Sequence, residues 1–163
     1  MFADPKINIA RLNLKDGMSV ADFGAGTGAY SKEASKKVGK AGKVYAVEVQ
    51  KNMVKKLEAD LVEENISNVI CVWGDIEVSG GTKIADKAMD AVIISNVLSQ
   101  ASDKLGLIDE AGRILKSGGK ALLISNQSVK KDAAIELFTR RGFKVLENTS
   151  DGEYHYGIIF IHE

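Results

Sequence analysis

The chain has 163 residues, 45% of them hydrophobic and 27% charged, a composition typical of a folded globular domain and not of a disordered one. Its 22 Lys and Arg residues balance 22 Asp and Glu residues, so the formal net charge of zero argues against nucleic-acid binding by bulk positive charge. Cys71 is the only cysteine, which excludes an intrachain disulfide and fits a reducing compartment.

The start of the chain, MFADPKINIARLNL, has neither a long apolar stretch nor a signal-like cleavage site. No segment approaches the roughly 20 apolar residues that a membrane-spanning helix needs. We therefore expect a cytoplasmic protein without membrane association. We also expect one domain over residues 1–163, in which 1–17 form a short N-terminal segment.

From residue 18 onward, short apolar runs alternate with stretches of helical periodicity. The apolar runs predict strands at 18–23, 44–48, 69–73, 90–95, 120–125, 143–147 and 156–162. The periodic stretches predict helices at 31–38, 52–64, 103–115 and 130–141. Residues 74–89 and 148–153 are predicted to be loop and turn. We expect Met53 to point inward from the second helix, and Ser102 to cap the third helix with Leu105 on its apolar side.

Strands separated by helices are predicted to be parallel, with right-handed crossovers. The last two predicted strands follow each other without a helix, so the seventh can run antiparallel. The sequence therefore predicts an α/β fold, a three-layer αβα sandwich around a seven-stranded, mostly parallel sheet with an antiparallel last strand.

A glycine-rich turn joins the first predicted strand to the first predicted helix. Gly24, Gly26 and Gly28 allow a sharp backbone bend there, and free N–H groups at a helix start can receive ligand acceptors. Glu48 ends the second strand, which places its carboxylate beside the turn, where it can accept two hydrogen bonds from ribose hydroxyls. Together these features indicate an adenosine-containing ligand. The glycines and Ala29 also fit the dinucleotide pattern G-x-G-x-x-G/A.

The glycine turn resembles motif I of the class I S-adenosylmethionine-dependent methyltransferases, which carry an acid two positions before the first glycine, here Asp22. Residues 45–48, 74–76, 90–98 and 111–119 resemble later motifs of the same family, so the resemblance covers about residues 15–125. Ser117 stands where that family usually has proline. The resemblance implies a single Rossmann-like methyltransferase domain.

The resemblance also implies S-adenosylmethionine as the cofactor, with a set of binding residues. These are Asp22, Phe23, Gly24, Ala25, Gly26, Gly28, Glu48, Val49, Asp75, Ile76, Ser95 and Asn96. The three glycines would let the backbone pass close to the methionine part. Asp22 would either accept from the cofactor's ammonium or brace the turn.

At the other end of the cofactor, Glu48 would hold the ribose, and Val49 and Ile76 would enclose the adenine. Asp75 would accept from the adenine amino group. Ser95 and Asn96 end the fourth strand, where they would contact the amino acid part of the cofactor or the acceptor.

No residue is assigned a catalytic role, because the sulfonium already activates the methyl group. His155 and His162 flank the last strand, where a surface role is expected. Tyr30 and Tyr154 either border the acceptor pocket or have only a packing role in the fold. The sequence has no cysteine pair and no His-Asp-Cys pattern, so no metal site is predicted.

The sequence leaves the methyl acceptor open among protein, RNA and small molecules. Residues 14–18 and 38–44 resemble the isoaspartyl-protein and tRNA-adenine methyltransferases, whereas 96–100 and 110–116 resemble the quinone-biosynthesis and arsenite enzymes. The lone Cys71 disfavours arsenite. The sequence shows no lid segment, which favours an open site or a homo-oligomer.

Two other functions fit the glycine turn. One is an NAD(P)-dependent oxidoreductase, although Asp22, the Gly-Asp-Ile triplet at 74–76 and the paired last strands disfavour it. The other is a non-catalytic nucleotide-binding domain, which the absence of an evident base permits.

Overall fold

Seven strands join into one sheet in the computed structural model, which describes residues 3–150 and 154–163. The strand order is β3-β2-β1-β4-β5-β7-β6. Strands β1 to β5 pair in parallel, and β7 runs antiparallel to both β5 and β6. The predicted fold class is therefore confirmed. The strands are Ser19–Phe23 (β1), Lys43–Glu48 (β2), Val69–Trp73 (β3), Met89–Ser95 (β4), Leu115–Asn126 (β5), Phe143–Ser150 (β6) and His155–His162 (β7).

Helices cover both faces of the sheet. They are Pro5–Arg11 (α1), Ala29–Val38 (α2), Lys51–Glu63 (α3), Lys104–Ile114 (α4) and Lys131–Thr139 (α5). Ile9, Ala34 and Leu57 place α1, α2 and α3 in one apolar core, whereas Ile108 and Phe138 place α4 and α5 in the other. Because successive strand residues point to opposite faces, each inner strand contributes to both cores. The result is the three-layer arrangement.

The sheet ends at β3 on one side, and this edge strand is less buried than the inner strands. Ile70 is 39% exposed and Trp73 is 52% exposed, whereas Ile93 and Ile94 of β4 are fully buried. An edge strand has one neighbour instead of two, so its apolar side chains have less surface to pack against.

Helix α1 was not predicted from the sequence, which was interpreted as a short N-terminal segment. Asp4 caps this helix, with its Oδ1 accepting from the Lys6 backbone N–H at 2.9 Å, and Pro5 takes the first helical position. An N-cap residue followed by proline is a helix-start signal. The helix is only seven residues long, so it shows little periodicity.

The N-cap of α4 and the buried faces of α3 and α4 differ from the prediction. Asp103, and not Ser102, caps α4, because its Oδ1 accepts from Gly106 N at 2.8 Å. Leu105 is 38% exposed, because the buried stripe of α4 runs through its neighbours Leu107, Ile108, Ala111 and Ile114. In α3 the buried residues are Val54, Leu57 and Leu61, and Met53 is only half-buried.

Two strands extend beyond their predicted ends. β5 begins at Leu115, and its pairing with β4 shifts register between Met89 and Ala91, so residues 117–119 form a bulge within the strand. β6 continues through Ser150, into the predicted 148–153 turn, of which 151–153 lie outside the described residues. None of the helices in the described part of the chain has the length and apolarity to cross a bilayer.

Candidate functional site

A cavity of about 430 Å³ opens at the carboxyl ends of β1, β2 and β4. The chain passes from β1 to β2 on one side and later to β4 on the other, so the strand order changes direction at β1. Open α/β sheets bind ligands at such a switch point, and ligand pockets typically measure about 300–1,000 Å³. Location and size are therefore those of a small-molecule site.

Most of the predicted binding residues lie on this cavity, namely Gly24, Gly26, Glu48, Val49, Asp75, Ile76, Ser95 and Asn96. Four predicted residues are not among those that line it: Asp22, Phe23, Ala25 and Gly28. Phe23 is fully buried in the core that faces α4 and α5. A role in binding for these four stays a prediction.

The N–H groups of the glycine turn are already hydrogen-bonded within the protein. Gly24 N and Ala25 N donate to Val47 O at 2.9 and 3.0 Å, and Gly26 N donates to Glu48 Oε2 at 3.1 Å. These three N–H groups are therefore not free to bind a ligand, whereas the free N–H groups expected at the helix start concern α2, which begins at Ala29. β2, and not a ligand, satisfies the N–H groups of Gly24, Ala25 and Gly26, because the turn crosses directly over the end of that strand.

The three glycines of the turn differ in what surrounds them. Gly24 has φ +70°, and a Cβ there would collide with Val97 Cγ1. A Cβ at Gly28 would collide with Leu57 Cδ1 of α3. Gly26 lines the cavity, with no atom closer than 3.9 Å to its Cβ position. All three glycines have positive φ, +70°, +54° and +77°, so the left-handed backbone favours glycine at each position. Side chains of the protein crowd the first and last of them, and the cavity is adjacent to the middle one.

Glu48 is held in a fixed orientation at the cavity. Its side chain is 8% exposed, with Oε1 accepting from Gln50 N at 2.9 Å and Oε2 accepting from Gly26 N at 3.1 Å. Each carboxylate oxygen can accept more than one hydrogen bond. Both oxygens thus retain capacity to accept from a pair of hydroxyls in the cavity.

Asp22 lies beneath the turn and not on the cavity. It is 2% exposed, and its Oδ2 accepts from Ser31 Oγ at 2.6 Å. Burial raises the pKa of Asp22 to about 6, against the opposing effect of the Ser31 hydrogen bonds. Of the two roles predicted for Asp22, the geometry favours the brace, since this bond ties β1 to the first turn of α2.

An apolar wall lies beyond Glu48. Val49 is 59% exposed, and Ile76 is half-buried on the same cavity. Trp73 Nε1 donates to Val49 O at 2.9 Å, and this hydrogen bond helps to fix the backbone of Val49. Asp75 is exposed, with its Oδ1 accepting from Glu77 N at 2.9 Å. This end of the cavity can enclose a flat ring and offer a carboxylate at the edge of the ring.

The other end of the cavity is polar. Asn96 adopts φ +58°, and its Oδ1 is buried without a hydrogen-bond partner among the described residues. Its Nδ2 donates to Ser95 Oγ at 3.4 Å, and Gln100 Nε2 donates to Asn96 O at 2.9 Å. A buried amide oxygen without a partner is a site where a ligand donor can bind.

Sequence reasoning missed several lining residues: Val47, Gln50, Gly74, Glu77, Val97, Gln100 and Ala101. Most of them are within two positions of a predicted residue, so their proximity was the available signal. Gln100 ends the 96–100 stretch that resembles the quinone-biosynthesis enzymes, and Ala101 follows it, but neither was predicted to bind the cofactor. The turn after β4 brings them to the cavity.

The other candidate side chains lie away from the cavity. His155 begins β7 and His162 ends it, and burial, with the charge of Lys87, lowers the pKa of His162. Tyr30 is buried and accepts from Asn8 Nδ2 at 3.1 Å, whereas Tyr154 is 62% exposed. None of these four residues lines the cavity.

The single thiol is also outside the cavity. Cys71 is half-buried on β3, and burial raises its pKa to about 11, with a further contribution from the charge of Glu58. A thiol with a raised pKa is protonated at neutral pH and is a poor nucleophile or metal ligand. Within 3–150 and 154–163, no three potential metal ligands cluster.

A protein family described as "Methyltransferase domain" matches residues 21–123, which is more than half of the chain. One curated relative is the "probable cobalt-precorrin-6B C(15)-methyltransferase (decarboxylating)" of Sulfurisphaera tokodaii, 30% identical over 147 residues. The match covers 83% of this chain and 74% of the relative.

A ubiquinone/menaquinone biosynthesis C-methyltransferase of Shewanella piezotolerans is 28% identical over 142 residues, and the match covers 86% of this chain. The match spans only 55% of the length of that relative. Among solved structures, a SAM-dependent methyltransferase from Aquifex aeolicus has a TM-score of 0.89 at 24% identity, covering 99% of this chain and 91% of that chain.

Proposed function

Because the chain belongs to the methyltransferase domain family, we propose that the cavity at the ends of β1, β2 and β4 is the site of methyl transfer. The chain is an S-adenosylmethionine-dependent methyltransferase, and S-adenosylmethionine is its cofactor. The proposal concerns which side chains hold that cofactor and what kind of acceptor they serve.

The orientation of Glu48 carries the proposal. Two backbone N–H groups hold its carboxylate at the rim of the glycine turn, so hydrogen bonds within the protein fix the orientation of the side chain. We assign its remaining hydrogen-bonding capacity to the two ribose hydroxyls. A preorganised acceptor loses little conformational entropy on binding, which strengthens the interaction.

We assign the adenine to the apolar wall beyond Glu48. Val49 and Ile76 would contact the two faces of the ring, and Asp75 would accept from its amino group through Oδ2, because Oδ1 accepts from Glu77 N. The methionine part would then lie along Gly26 toward Ser95 and Asn96, whose unpartnered Oδ1 is available to a donor.

The bound sulfonium supplies an activated methyl group, so the main task of the protein is to align donor and acceptor. Asn96 and Gln100 border the cavity at the end opposite the adenine wall, and Gln100 is exposed. We propose that the acceptor enters there, with the amide of Asn96 orienting it.

We propose a carbon nucleophile of an organic small molecule as the acceptor. Both curated relatives are named carbon methyltransferases. A carbon made nucleophilic by an adjacent ionised hydroxyl needs no side-chain base at the moment of transfer. This fits a cavity whose lining includes neither histidine.

We further propose that residues 1–163 act as one domain in the cytoplasm. All seven strands of the described residues belong to one sheet, and the single cysteine has no intrachain partner with which to form a disulfide. The open end of the cavity near Gln100 favours closure by the acceptor itself or by a second copy of the chain.

Calorimetry with S-adenosylhomocysteine and with NAD⁺ tests the cofactor assignment, and we expect only the first to bind. Methyl-labelled S-adenosylmethionine is then incubated with protein, RNA and small-molecule fractions of a cell extract. We expect label in the small-molecule fraction that resists both alkali and hot hydriodic acid, since the acid releases methyl groups from oxygen and nitrogen but not from carbon. Label confined to protein or RNA would contradict the acceptor proposal, and binding without any transfer would favour a non-catalytic domain.

A further inference from the structure

The loop between β3 and β4 carries Asp75 and Ile76, yet it contains no helix or strand of its own. Such a loop can position an adenine only if something outside it fixes its shape. We propose that Glu110 of α4 is a positioning residue for cofactor recognition, because its buried carboxylate clamps this loop to α4. This inference rests on the proposed adenine site.

The carboxylate of Glu110 is 1% exposed and makes contacts in two directions. Toward the loop it accepts from Gly80 N at 2.9 Å and from Thr82 Oγ1 at 2.6 Å. Toward its own helix it accepts from Arg113 Nε at 2.8 Å and Nη2 at 2.7 Å. A buried charge is tolerated only when it is paired and hydrogen-bonded in this way.

Arg113 extends the clamp further along the loop. Its Nη2 donates to Ile84 O at 2.9 Å, and its Nη1 pairs with Asp86. Burial by itself would raise the pKa of Glu110, but the hydrogen bonds from Arg113, Thr82 and Gly80 lower it to about 2. The carboxylate is therefore ionised throughout the physiological range, and the clamp is present there.

The clamped segment touches the backbone of Asp75 directly. Asp75 N donates to Gly81 O at 3.2 Å, and a Cβ at Gly81 would collide with Asp75 O. Gly81 lies between Gly80 and Thr82, and the N–H groups of both neighbours donate to the carboxylate of Glu110. A shift of the clamped segment must therefore move Asp75, since the backbones are in contact without space between them.

Glu110 is not among the residues that line the cavity, so its effect on the ligand must pass through the loop. The consequence is specific: loosening the clamp changes how well Asp75 distinguishes an amino group from a keto group on the purine. A residue that only stabilised the fold would leave that distinction intact in the folded protein.

The test compares dissociation constants for S-adenosylhomocysteine and S-inosylhomocysteine, in which a keto group replaces the adenine amino group, well below each variant's melting temperature. We expect the wild type to prefer the adenine form by about tenfold, the scale of one hydrogen bond to a charged group. Glu110→Gln and Thr82→Val should reduce this preference to about threefold or less, whereas Thr82→Ser, which keeps the hydroxyl, should retain it.

Asp109→Asn is the matched control, because Asp109 lies on the exposed side of the same helix, where it pairs with Arg141 at 3.3 Å. It should leave the preference unchanged. If Glu110→Gln does not fold, the Thr82→Val and Thr82→Ser pair decides the question.

A lowered melting temperature with an unchanged preference in Thr82→Val and Glu110→Gln would overturn the clamp as a positioning device. If Asp75→Ala loses the preference while Thr82→Val and Glu110→Gln retain it, the clamp proposal is overturned but the proposed adenine site stands. Failure of the wild type to bind S-adenosylhomocysteine would instead refute the proposed function, and the clamp proposal with it.

Discussion

Glu48 shows how one side chain serves both the fold and the site. Its carboxylate accepts from the N–H groups of Gly26 and Gln50, so it holds the glycine turn against β2. The same hydrogen bonds aim it into the cavity. Side chains that both stabilise a turn and bind a ligand are expected where a turn forms part of a binding site.

We predict that Glu48→Ala weakens binding of S-adenosylhomocysteine by about 1–3 kcal/mol, the scale for losing hydrogen bonds to a charged group. Calorimetry measures the affinity, and an unfolding curve shows whether the variant is folded. Glu63→Ala, an exposed change at the end of α3, is the control and should bind as the wild type does. An unchanged affinity in folded Glu48→Ala would remove the ribose assignment.

Asp22 is predicted to make stability depend on pH. Its folded-state pKa of about 6 lies above the usual 3.8, so the folded protein holds the proton more tightly than the unfolded chain. The contribution of Asp22 to stability is therefore full below about pH 3.8 and declines as the pH rises through 6.

Asp22→Asn cannot ionise, so its free energy of unfolding should rise relative to that of the wild type between pH 4 and 6, and the difference should level off above that range. Urea unfolding of both proteins at four pH values measures it. A difference that stays constant with pH would show that Asp22 does not titrate in this window.

At the scale of elements, the turn between β1 and α2 depends on space as much as on backbone conformation. Gly24 combines φ +70° with a close approach by Val97, whereas Gly118 in the β5 bulge has φ +76° with no atom within 4 Å of its Cβ position. The two glycines therefore separate conformational strain from steric collision.

We predict that Gly118→Ala loses about 1–2 kcal/mol, the cost of left-handed backbone for a residue with a side chain. Gly24→Ala should lose more, because Val97 must also move, and its affinity for S-adenosylhomocysteine should fall while that of Gly118→Ala does not. Denaturant unfolding and calorimetry on both variants provide the comparison. Equal stability losses would mean that Val97 adapts without cost.

The helices also show which local signals are reliable. The presence of α2 and of the strands β1 to β4 follows directly from apolar spacing, and the structure confirms it. The capping of α4 was assigned one residue too early, because Ser102 and Asp103 are both good N-caps and only the hydrogen bond to Gly106 N distinguishes them. Local chemistry thus predicts that an element exists better than it predicts where the element begins.

At the scale of the whole molecule, an aromatic cluster joins the end of the sheet farthest from β3. Phe160 of β7 stacks on Phe138 of α5 at 4.3 Å between ring centroids, and Phe143 of β6 meets it edge-on at 6.3 Å. All three rings are buried. Because β6 and β7 form the antiparallel end of the sheet, this cluster attaches α5 to that end.

We predict that Phe160→Ala lowers the free energy of unfolding by about 3–5 kcal/mol, the usual cost of a large cavity in a core. Fluorescence of Trp73, the only tryptophan, monitors the opposite edge of the sheet, and far-ultraviolet circular dichroism monitors the whole chain. In a cooperative fold both midpoints should shift together. Separate midpoints would show that the β5–β7–β6 end unfolds independently.

The sequence by itself determined the fold class, the glycine turn, the acid at the end of β2 and the family, since each depends on a local pattern of spacing or on a short motif. The tertiary structure decided that β7 lies between β5 and β6, and that Asp22 faces Ser31 and not the cavity. It also placed Leu57 of α3 against Gly28, and the carboxylate of Glu110 against a loop 30 residues away in the chain. Those outcomes depend on contacts between distant parts of the chain, and such contacts leave no periodic trace in the sequence because they form only when the layers pack.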